Sequence, residues 1–275
     1  ADTVVLASGT NSADALAASS LATSKSAPIL LTRRNEIGKN VFDEIKRLNA
    51  NNVIVVGGKV SISEKVVSDL KNKNITVKRL AGDSRYETSY EIAKELLKSN
   101  KAKEAIIVNG FKNVDALSVS SLATKENLPI LLNDGNRLSK DIKNIVGDSN
   151  IKKMYIIGGR TSLSRKIEDN IKDLNIEYER LAGEDRYETS SKIAKYAYEN
   201  SDKVILASGE NSIDALAAGV LTKMEKAPML LVQKRRIPKS ISNRIEESKA
   251  KKFLLIGGEK TISDRVKDKV EGLLK

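Results

Sequence analysis

Apolar residues in this chain fall into short unbroken runs, separated by longer segments in which apolar positions recur every three or four residues. One such run covers residues 53–56, and Ile167, Ile171 and Leu174 illustrate the longer spacing. Because the short runs do not alternate between apolar and polar residues, they are typical of parallel strands buried on both faces. Strands that alternate with amphipathic helices predict βαβ units with right-handed crossovers. We therefore expect an α/β fold of three-layer sandwiches with mainly parallel sheets, Rossmann-like in the loose sense.

Four sequence landmarks recur along the chain, three of them in three copies. The first is a strand that ends in glycine and leads into Asp-Ala-Leu, and its aspartates Asp14, Asp115 and Asp214 are 101 and 99 residues apart. The others are a proline-led apolar strand, an apolar strand that ends in Gly-Gly, and the segment R-L-A-G-x-x-R-Y-E-T. The proline-led strands begin at Pro28, Pro129 and Pro228. The Gly-Gly pairs begin at Gly57, Gly158 and Gly257, and the R-L-A-G segments begin at Arg79 and Arg180.

The repeat interval identifies domain-sized units. A period of about 100 residues is too long for a solenoid repeat of 20–50 residues, and it matches the size of a small domain. We therefore predict three modules, at residues 1–78, 79–179 and 180–275. The R-L-A-G segment occurs only twice, so we expect its missing copy just upstream of Ala1 and expect the first module to lack an N-terminal helix.

Composition narrows the possible chemistry. The chain has no cysteine and no histidine, which excludes disulfides, thiolate zinc sites and a Ser-His-Asp triad. Its formal net charge is +12, which suggests an anionic partner, whereas aromatic residues make up only 4% and Trp is absent, so charge rather than stacking is expected to carry recognition. No apolar run approaches 18 residues, so we expect no membrane insertion. We expect no catalytic residue, metal or cofactor.

Basic residues follow the predicted strands at the sheet edge where α/β proteins bind ligands. Cations near exposed backbone amides could form an anion site, although ordinary surface charge would give the same pattern. The residues concerned are Arg33, Arg34, Arg137, Lys234, Arg235 and Arg236 after the proline-led strands, and Lys59, Arg160 and Lys260 after the Gly-Gly pairs.

Two arginines occupy unfavourable positions at predicted helix starts. Arg85 and Arg186 lie where the helix dipole disfavours a cation, which indicates a specific bond, either structural or to a ligand. The repeated aspartates, by contrast, favour a helix N-terminus and would repel a phosphate. Neither G-x-G-x-x-G nor G-K-[ST] is present.

The R-L-A-G-x-D-R-Y-E-T, x-G-x-N-x-x-D-A-L-A-A, P-I-L-L and V-x-V-V-G-G motifs resemble those of the cell-wall-binding repeat 2 family of Gram-positive bacteria, clostridial surface proteins in particular. The resemblance implies three Rossmann- or Toprim-like modules packed around a pseudo-threefold axis. It also implies non-covalent attachment to an anionic secondary wall polysaccharide, an extracellular location in the cell wall or S-layer, and other surface-layer proteins as further partners. It links binding to the Ile-Leu-Leu positions, here Ile29, Leu30, Leu31, Ile130, Leu131, Leu132, Met229, Leu230 and Leu231.

Three functional hypotheses remain open at this stage. A non-catalytic wall-anchoring module agrees with the basic charge, the repeats and the family motifs. A phosphate- or nucleotide-acting enzyme is the alternative, and bound nucleotide or divalent metal in the purified protein would favour it. Charge-driven nucleic-acid binding is the third, and tight DNA binding at moderate salt would favour it; we expect no nucleic acid as partner.

Overall fold

A computed structural model describes residues 1–99, 101–112 and 117–274 of the chain, and strands alternate with helices throughout. The strands are β1 Thr3–Ser8, β2 Ile29–Thr32, β3 Asn52–Val56, β4 Thr76–Leu80, β5 Glu104–Asn109, β6 Ile130–Asn133, β7 Lys153–Ile157, β8 Glu177–Leu181, β9 Lys203–Ser208, β10 Met229–Val232 and β11 Lys252–Ile256. The helices are α1 Ser12–Ala17, α2 Ser19–Ser24, α3 Lys39–Arg47, α4 Glu64–Lys71, α5 Arg85–Ser99, α6 Ser120–Glu126, α7 Lys140–Asp148, α8 Arg165–Asp173, α9 Arg186–Ala197, α10 Ser212–Ala218, α11 Leu221–Met224, α12 Lys239–Glu247 and α13 Asp264–Leu273.

The strands form three parallel sheets with the same order. The first is β2-β1-β3-β4, the second is β6-β5-β7-β8, and the third is β10-β9-β11. Equivalent strands keep equivalent registers, since Val5 lies opposite Ile29 in the first sheet as Ile106 lies opposite Ile130 in the second. The α/β class, the three repeats and the parallel sheets are thereby confirmed.

The R-Y-E-T helices begin where local hydrogen bonds supply partners for free backbone amides. Ser84 Oγ accepts from the Glu87 amide at 3.2 Å, and the Glu87 carboxylate accepts from the Asp83 amide at 2.7 Å. Asp185 Oδ1 accepts from the amide of Glu188 at 2.8 Å in the same way. Both arrangements satisfy first-turn amides of the helix, and the first has the form of a capping box.

The hydrophobic core joins the three modules. One buried cluster draws residues from all three sheets, including Val5, Ile106 and Leu206, whereas two smaller clusters belong to the first and second modules alone. At the centre, helix α6 of the second module contacts α2 of the first and α11 of the third, and α1 contacts α10. Equivalent helices of the three modules therefore meet near one axis, as a pseudo-threefold arrangement requires.

The predicted module boundaries fall inside strands. Residues 78 and 79 both belong to β4, which pairs with β3 over its whole length, and residues 179 and 180 both belong to β8. The division into modules at these positions stays a prediction. Helix α6 begins at Ser120, and the repeated aspartate of this module, Asp115, lies outside the described ranges.

Candidate functional site

The order of strands places a crevice at the same point of each sheet. Strand β1 connects to β2 on one side and its other neighbour is β3, so the loops after β1 and β3 diverge at the carboxyl edge. Open α/β sheets bind ligands at such a switch point. The backbone turns sharply after β3 and β7. Gly57 and Gly158 follow these strands with φ of 105° and 102°, a left-handed conformation that favours glycine.

The first module carries a cleft of about 460 Å³ at this crevice. Asn11 and Asp14 line it from one side, residues 58–61 from the other, and Arg79 and Arg85 close it. Asp14 is buried, and burial raises its pKa to about 6, opposed by a hydrogen bond to Ser61 and by the positive charge of Arg85. Above that pH the cleft holds a carboxylate at its base, which opposes the binding of an anion there.

Arg85 and Arg186 each make a structural bond to the glycine that follows the first strand of the same module. Arg85 Nη1 donates to the carbonyl oxygen of Gly110 at 2.6 Å, and Arg186 Nη1 donates to that of Gly209 at 2.8 Å. The Arg85 guanidinium also lies 4.3 Å from the ring centre of Phe111. A structural role explains both cations at helix starts, and their contact with a polymer stays a prediction.

The Ile-Leu-Leu positions lie in β2, β6 and β10, and most of them belong to the core. Only Leu30 and Leu31 are half-buried. The remaining seven positions expose 4% of their surface or less: Ile29, Ile130, Leu131, Leu132, Met229, Leu230 and Leu231. A polymer could therefore touch these strands directly only in the first module, and the predicted role of the other positions in binding remains untested.

The cations after the Gly-Gly pairs differ in their surroundings. Lys59 lies 3.8 Å from Glu64, and Arg160 lies 3.3 Å from the buried Glu168. Lys260 is exposed and has no carboxylate within 4 Å among the described residues. Two of these three positions are therefore partly neutralised by a neighbour in the same module.

The loops after β2, β6 and β10 differ even more. In the first module Arg33 donates to Glu36 at 2.7 Å, while Arg34 is exposed. In the second module the exposed Arg137 follows Asp134, whose carboxylate accepts from the Arg137 amide at 3.4 Å. The third module alone has three consecutive exposed cations in this loop, at 234–236.

A basic depression of about 460 Å³ lies beside this last loop. Its cations are Lys234, Arg235 and Arg236 from the loop, with Arg265 and Lys269 from helix α13; these five residues are called the basic cluster below. Within the described part of the chain, none of the five has a carboxylate within 4 Å. Glu210 is the one acid that lines the depression, and its Oε2 accepts from the Lys234 amide at 3.2 Å.

The contribution of helix α13 to this cluster was not predicted from the sequence. Arg265 and Lys269 lie four residues apart on the helix, about one turn, so both project from the same face. Their cationic spacing was visible in the sequence. Their approach to a loop some 30 residues earlier depends on the packing of α13 against α12, which follows that loop, and the sequence pattern alone does not give that proximity.

Two other features of the described residues bear on the kind of site. No cluster of three or more Asp or Glu side chains suited to holding a metal ion occurs among them. No helix within the same ranges has the length and apolar character needed to cross a bilayer.

The fold and its repeated crevices define a protein of three tandem α/β modules with ligand-accessible strand ends. The chain belongs to the family described as Cell wall binding domain 2 (CWB2), whose model matches residues 1–67, 79–168 and 180–267. The match covers all three modules, so the family resemblance read from the motifs is confirmed.

Two proteins of Bacillus subtilis are similar to almost the whole chain. The chain is 27% identical over 271 residues to N-acetylmuramoyl-L-alanine amidase LytC of Bacillus subtilis, which covers 98% of this chain and 53% of that protein. It is 30% identical over 268 residues to the amidase enhancer of the same organism, covering 97% of this chain and 36% of that one. The chain therefore spans about half the length of these relatives or less.

Solved structures agree over the whole chain. Cwp6 from Clostridium difficile matches with a TM-score of 0.94 and 32% identity, covering 100% of this chain and 44% of that one. Cwp8 from the same organism matches with a TM-score of 0.89 and 29% identity, covering 100% and 48%. The three-module arrangement is thus similar to a part of each of these larger proteins.

Proposed function

We propose that this chain is a non-catalytic module that attaches a larger surface protein to the Gram-positive cell wall by binding an anionic secondary wall polysaccharide. Membership of the Cell wall binding domain 2 family supports wall binding. The basic cluster of the third module supports an anionic ligand and carries the proposal, because it gathers five cations around one depression that has Glu210 as its one acid, and none of the five has a carboxylate within 4 Å among the described residues.

Charge recognition in this depression is the proposed mechanism. A single exposed ion pair contributes only about 0–1 kcal/mol, so one cation would give little affinity. Several cations that surround one phosphate or carboxylate act together, and arginines such as Arg235 and Arg265 can bind it through two parallel N–H groups. A polymer that repeats its charge along its length can engage the other modules at the same time, which raises the overall affinity through avidity.

The cellular setting belongs to the same proposal. We place the module outside the cell, in the wall or surface layer, where an anionic polymer is the main partner and other surface-layer proteins are neighbours. The amidase activity named for one relative belongs to a protein about half of which lies outside the matched region. We therefore assign this chain the attachment step only.

The test compares binding to purified cell wall before and after acid extraction of its anionic polymers. Wild-type chain should bind intact wall and lose that binding after extraction. The variant Arg235→Gln, Arg236→Gln, Arg265→Gln should bind intact wall about tenfold more weakly, since the loss of about 1.4 kcal/mol corresponds to that factor. Affinity should also fall as salt is raised, because exposed charges are screened.

A charge-matched variant controls for the loss of net charge alone. Lys249, Lys251 and Lys252 are exposed at the opposite end of the same module, where β11 begins. Their replacement by glutamine removes the same charge and should leave wall binding unchanged. Binding that survives extraction, or an equal loss in both variants, would rule out polymer recognition by the basic cluster.

A further inference from the structure

The first module has a second cavity, at the edge of its sheet opposite to the cleft described above. Its volume is about 470 Å³, and it lies between the end of helix α3 and the segments that lead into β3 and β4. These segments precede parallel strands, so the cavity lies at the amino edge of the sheet. Small-molecule sites commonly have volumes of roughly 300–1,000 Å³, so the cavity is large enough to hold a ligand.

The lining of this cavity combines an apolar surface with polar side chains. The buried Ile45 and Ala50 and the half-buried Ile75 supply the apolar part. The other lining residues are one aromatic, two lysines and three asparagines: Phe42, Lys46, Lys73, Asn49, Asn51 and Asn74. Of the described residues that line the cavity, none is an aspartate or a glutamate. Such a lining can bind a polar molecule of neutral or negative charge.

The three asparagine side chains are available to a ligand. No hydrogen bond from or to their side-chain amides occurs within the described part of the chain. Asn49 and Asn74 have φ of 52° and 60°, a conformation that favours asparagine for the backbone alone, whereas Asn51 does not have a positive φ. Each amide both donates and accepts hydrogen bonds, as the hydroxyl groups of a sugar do.

The two lysines are exposed and have no acidic partner. Neither Lys46 nor Lys73 has a carboxylate within 4 Å among the residues that the structure describes. A cation near the end of a helix can simply complement the helix dipole. The equivalent helices do not require one at the position of Lys46, because Gly147 and Glu246 occupy it in the second and third modules. The two charges are therefore free to pair with an anion in the cavity.

The aromatic ring of Phe42 is also specific to the first module. Lys143 and Ser242 occupy the equivalent positions in the other two modules. Phe42 is half-buried, and it does not belong to the described side chains that pack on the buried cluster of its own module. The Nζ atom of Lys73 lies 6.0 Å from the centre of its ring. A partly exposed ring beside free amides can pack against the C–H groups of a sugar.

We propose that this cavity binds a hexose unit that carries an acidic group, either a carboxylate or a phosphate. The ring of Phe42 packs against the sugar, the three asparagines hydrogen-bond its hydroxyl groups, and Lys46 and Lys73 pair with the acid. Recognition here depends on the sugar as well as on its charge. The cavity and the basic cluster belong to different modules, so this site does not depend on the basic cluster.

The test titrates the full chain with three small molecules and follows the side-chain amide signals of the asparagines by NMR. Glucuronic acid has both the sugar and the acid, glucose lacks the acid, and acetate lacks the sugar. Glucuronic acid should shift the signals of Asn49, Asn51 and Asn74 and bind at least about fivefold more tightly than either control, because each exposed ion pair adds only a modest gain. Glucose 6-phosphate, titrated in the same way, distinguishes phosphate from carboxylate as the preferred acid.

Two variants separate the contribution of the ring from that of the charges. Phe42→Ser introduces the side chain that the third module has at this place, and it should weaken the binding of glucuronic acid without changing the midpoint of thermal unfolding. Lys46→Gln with Lys73→Gln should lower the affinity for glucuronic acid to that for glucose. Lys143→Gln with Lys152→Gln removes the same charge from exposed positions at the equivalent edge of the second module, and it should change neither affinity.

The outcome is independent of the test of wall binding. The variant Arg235→Gln, Arg236→Gln, Arg265→Gln should keep the affinity of the wild-type chain for glucuronic acid. If neither acidic sugar shifts the three asparagine signals, or if glucose or acetate binds as tightly as the acidic sugars do, the proposal is wrong. Equal losses in the first-module and second-module lysine variants would likewise contradict a site in this cavity.

Discussion

A single carboxylate, Asp14, combines burial with a position at the base of the first-module cleft. Its side chain accepts from Asn11 Nδ2 at 3.1 Å, and it lies beneath helix α5, whose Arg85 contributes positive charge. Burial outweighs these effects and raises the pKa to about 6 from 3.8. The folded state therefore holds the proton more tightly than the unfolded chain does between these two values.

This shift predicts a dependence of stability on pH that Asp14→Asn should remove. Because the folded state binds more protons between pH 3.8 and 6, the Asp14 contribution lowers stability as pH rises through that window. Asp14→Asn should raise the free energy of unfolding by about 1–3 kcal/mol at pH 8 and change it little near pH 3.5. Urea unfolding at both pH values measures the difference. The same difference at both values would indicate a change in packing instead of titration.

At the scale of elements, helix α8 is joined to strand β8 by a buried ion pair. Glu168 Oε1 accepts from Arg180 Nε at 2.7 Å, and Arg180 also donates to the carbonyl oxygen of Gly158 at 2.6 Å. Burial alone would raise the pKa of Glu168, but hydrogen bonds from Arg180 and Arg160 hold it below its usual value. The same helix and strand in the first module rely on Glu64, which is half-exposed and 3.5 Å from Arg79.

Glu168→Gln should destabilise the protein more than Glu64→Gln does. Removing one member of a buried pair leaves Arg180 without its carboxylate and should cost about 2–4 kcal/mol. The exposed pair of the first module should contribute no more than about 1 kcal/mol. Chemical denaturation of the two variants gives the comparison. Equal losses would show that burial does not set the strength of this connection.

At the scale of the molecule, the central hydrophobic cluster makes the three modules one folding unit. It includes Leu21 from α2, Leu122 from α6 and Val220 beside α11, and it continues into all three sheets. Helices α5 and α9, which follow β4 and β8, add further contacts between neighbouring modules. A module that opened alone would expose apolar surface on both itself and its neighbours.

We therefore expect β1, β5 and β9 to unfold in one transition. Leu122→Ala should lower the free energy of opening by about 2–5 kcal/mol in all three strands together, because the removed side chain belongs to the shared cluster. Native-state hydrogen exchange in increasing denaturant measures each strand separately. A loss confined to β5 would show that the modules unfold independently.

Much of this architecture follows from local pattern. The apolar run at residues 53–56 lies in β3, and Ile167 and Ile171 with their helical spacing lie in α8, because an apolar run or a helical spacing is a property of neighbouring residues. The buried Ile-Leu-Leu strands were predictable for the same reason. The family motifs add the three-module arrangement.

Other features depend on contacts that no local pattern contains. The pairing of Arg33 with Glu36 removes charge from a loop that reads as strongly basic, while α13 adds Arg265 and Lys269 to another. The division of each R-L-A-G segment between two modules was also not predicted. Its strand and helix are continuous in sequence. The strand, β4 or β8, pairs within the sheet of one module, whereas the helix that follows it, α5 or α9, packs on the sheet of the next.

That division constrains how the number of repeats in such a gene can change. In an open array such as a solenoid, each unit touches only its neighbours, so a duplication lengthens the array and leaves the rest intact. Here the helices α2, α6 and α11 come from three successive repeats and converge on one centre, and α5 and α9 connect neighbouring modules. A duplication or deletion of one repeat would change the geometry at that centre for all the others. Selection should therefore preserve the copy number as well as the sequence of each copy.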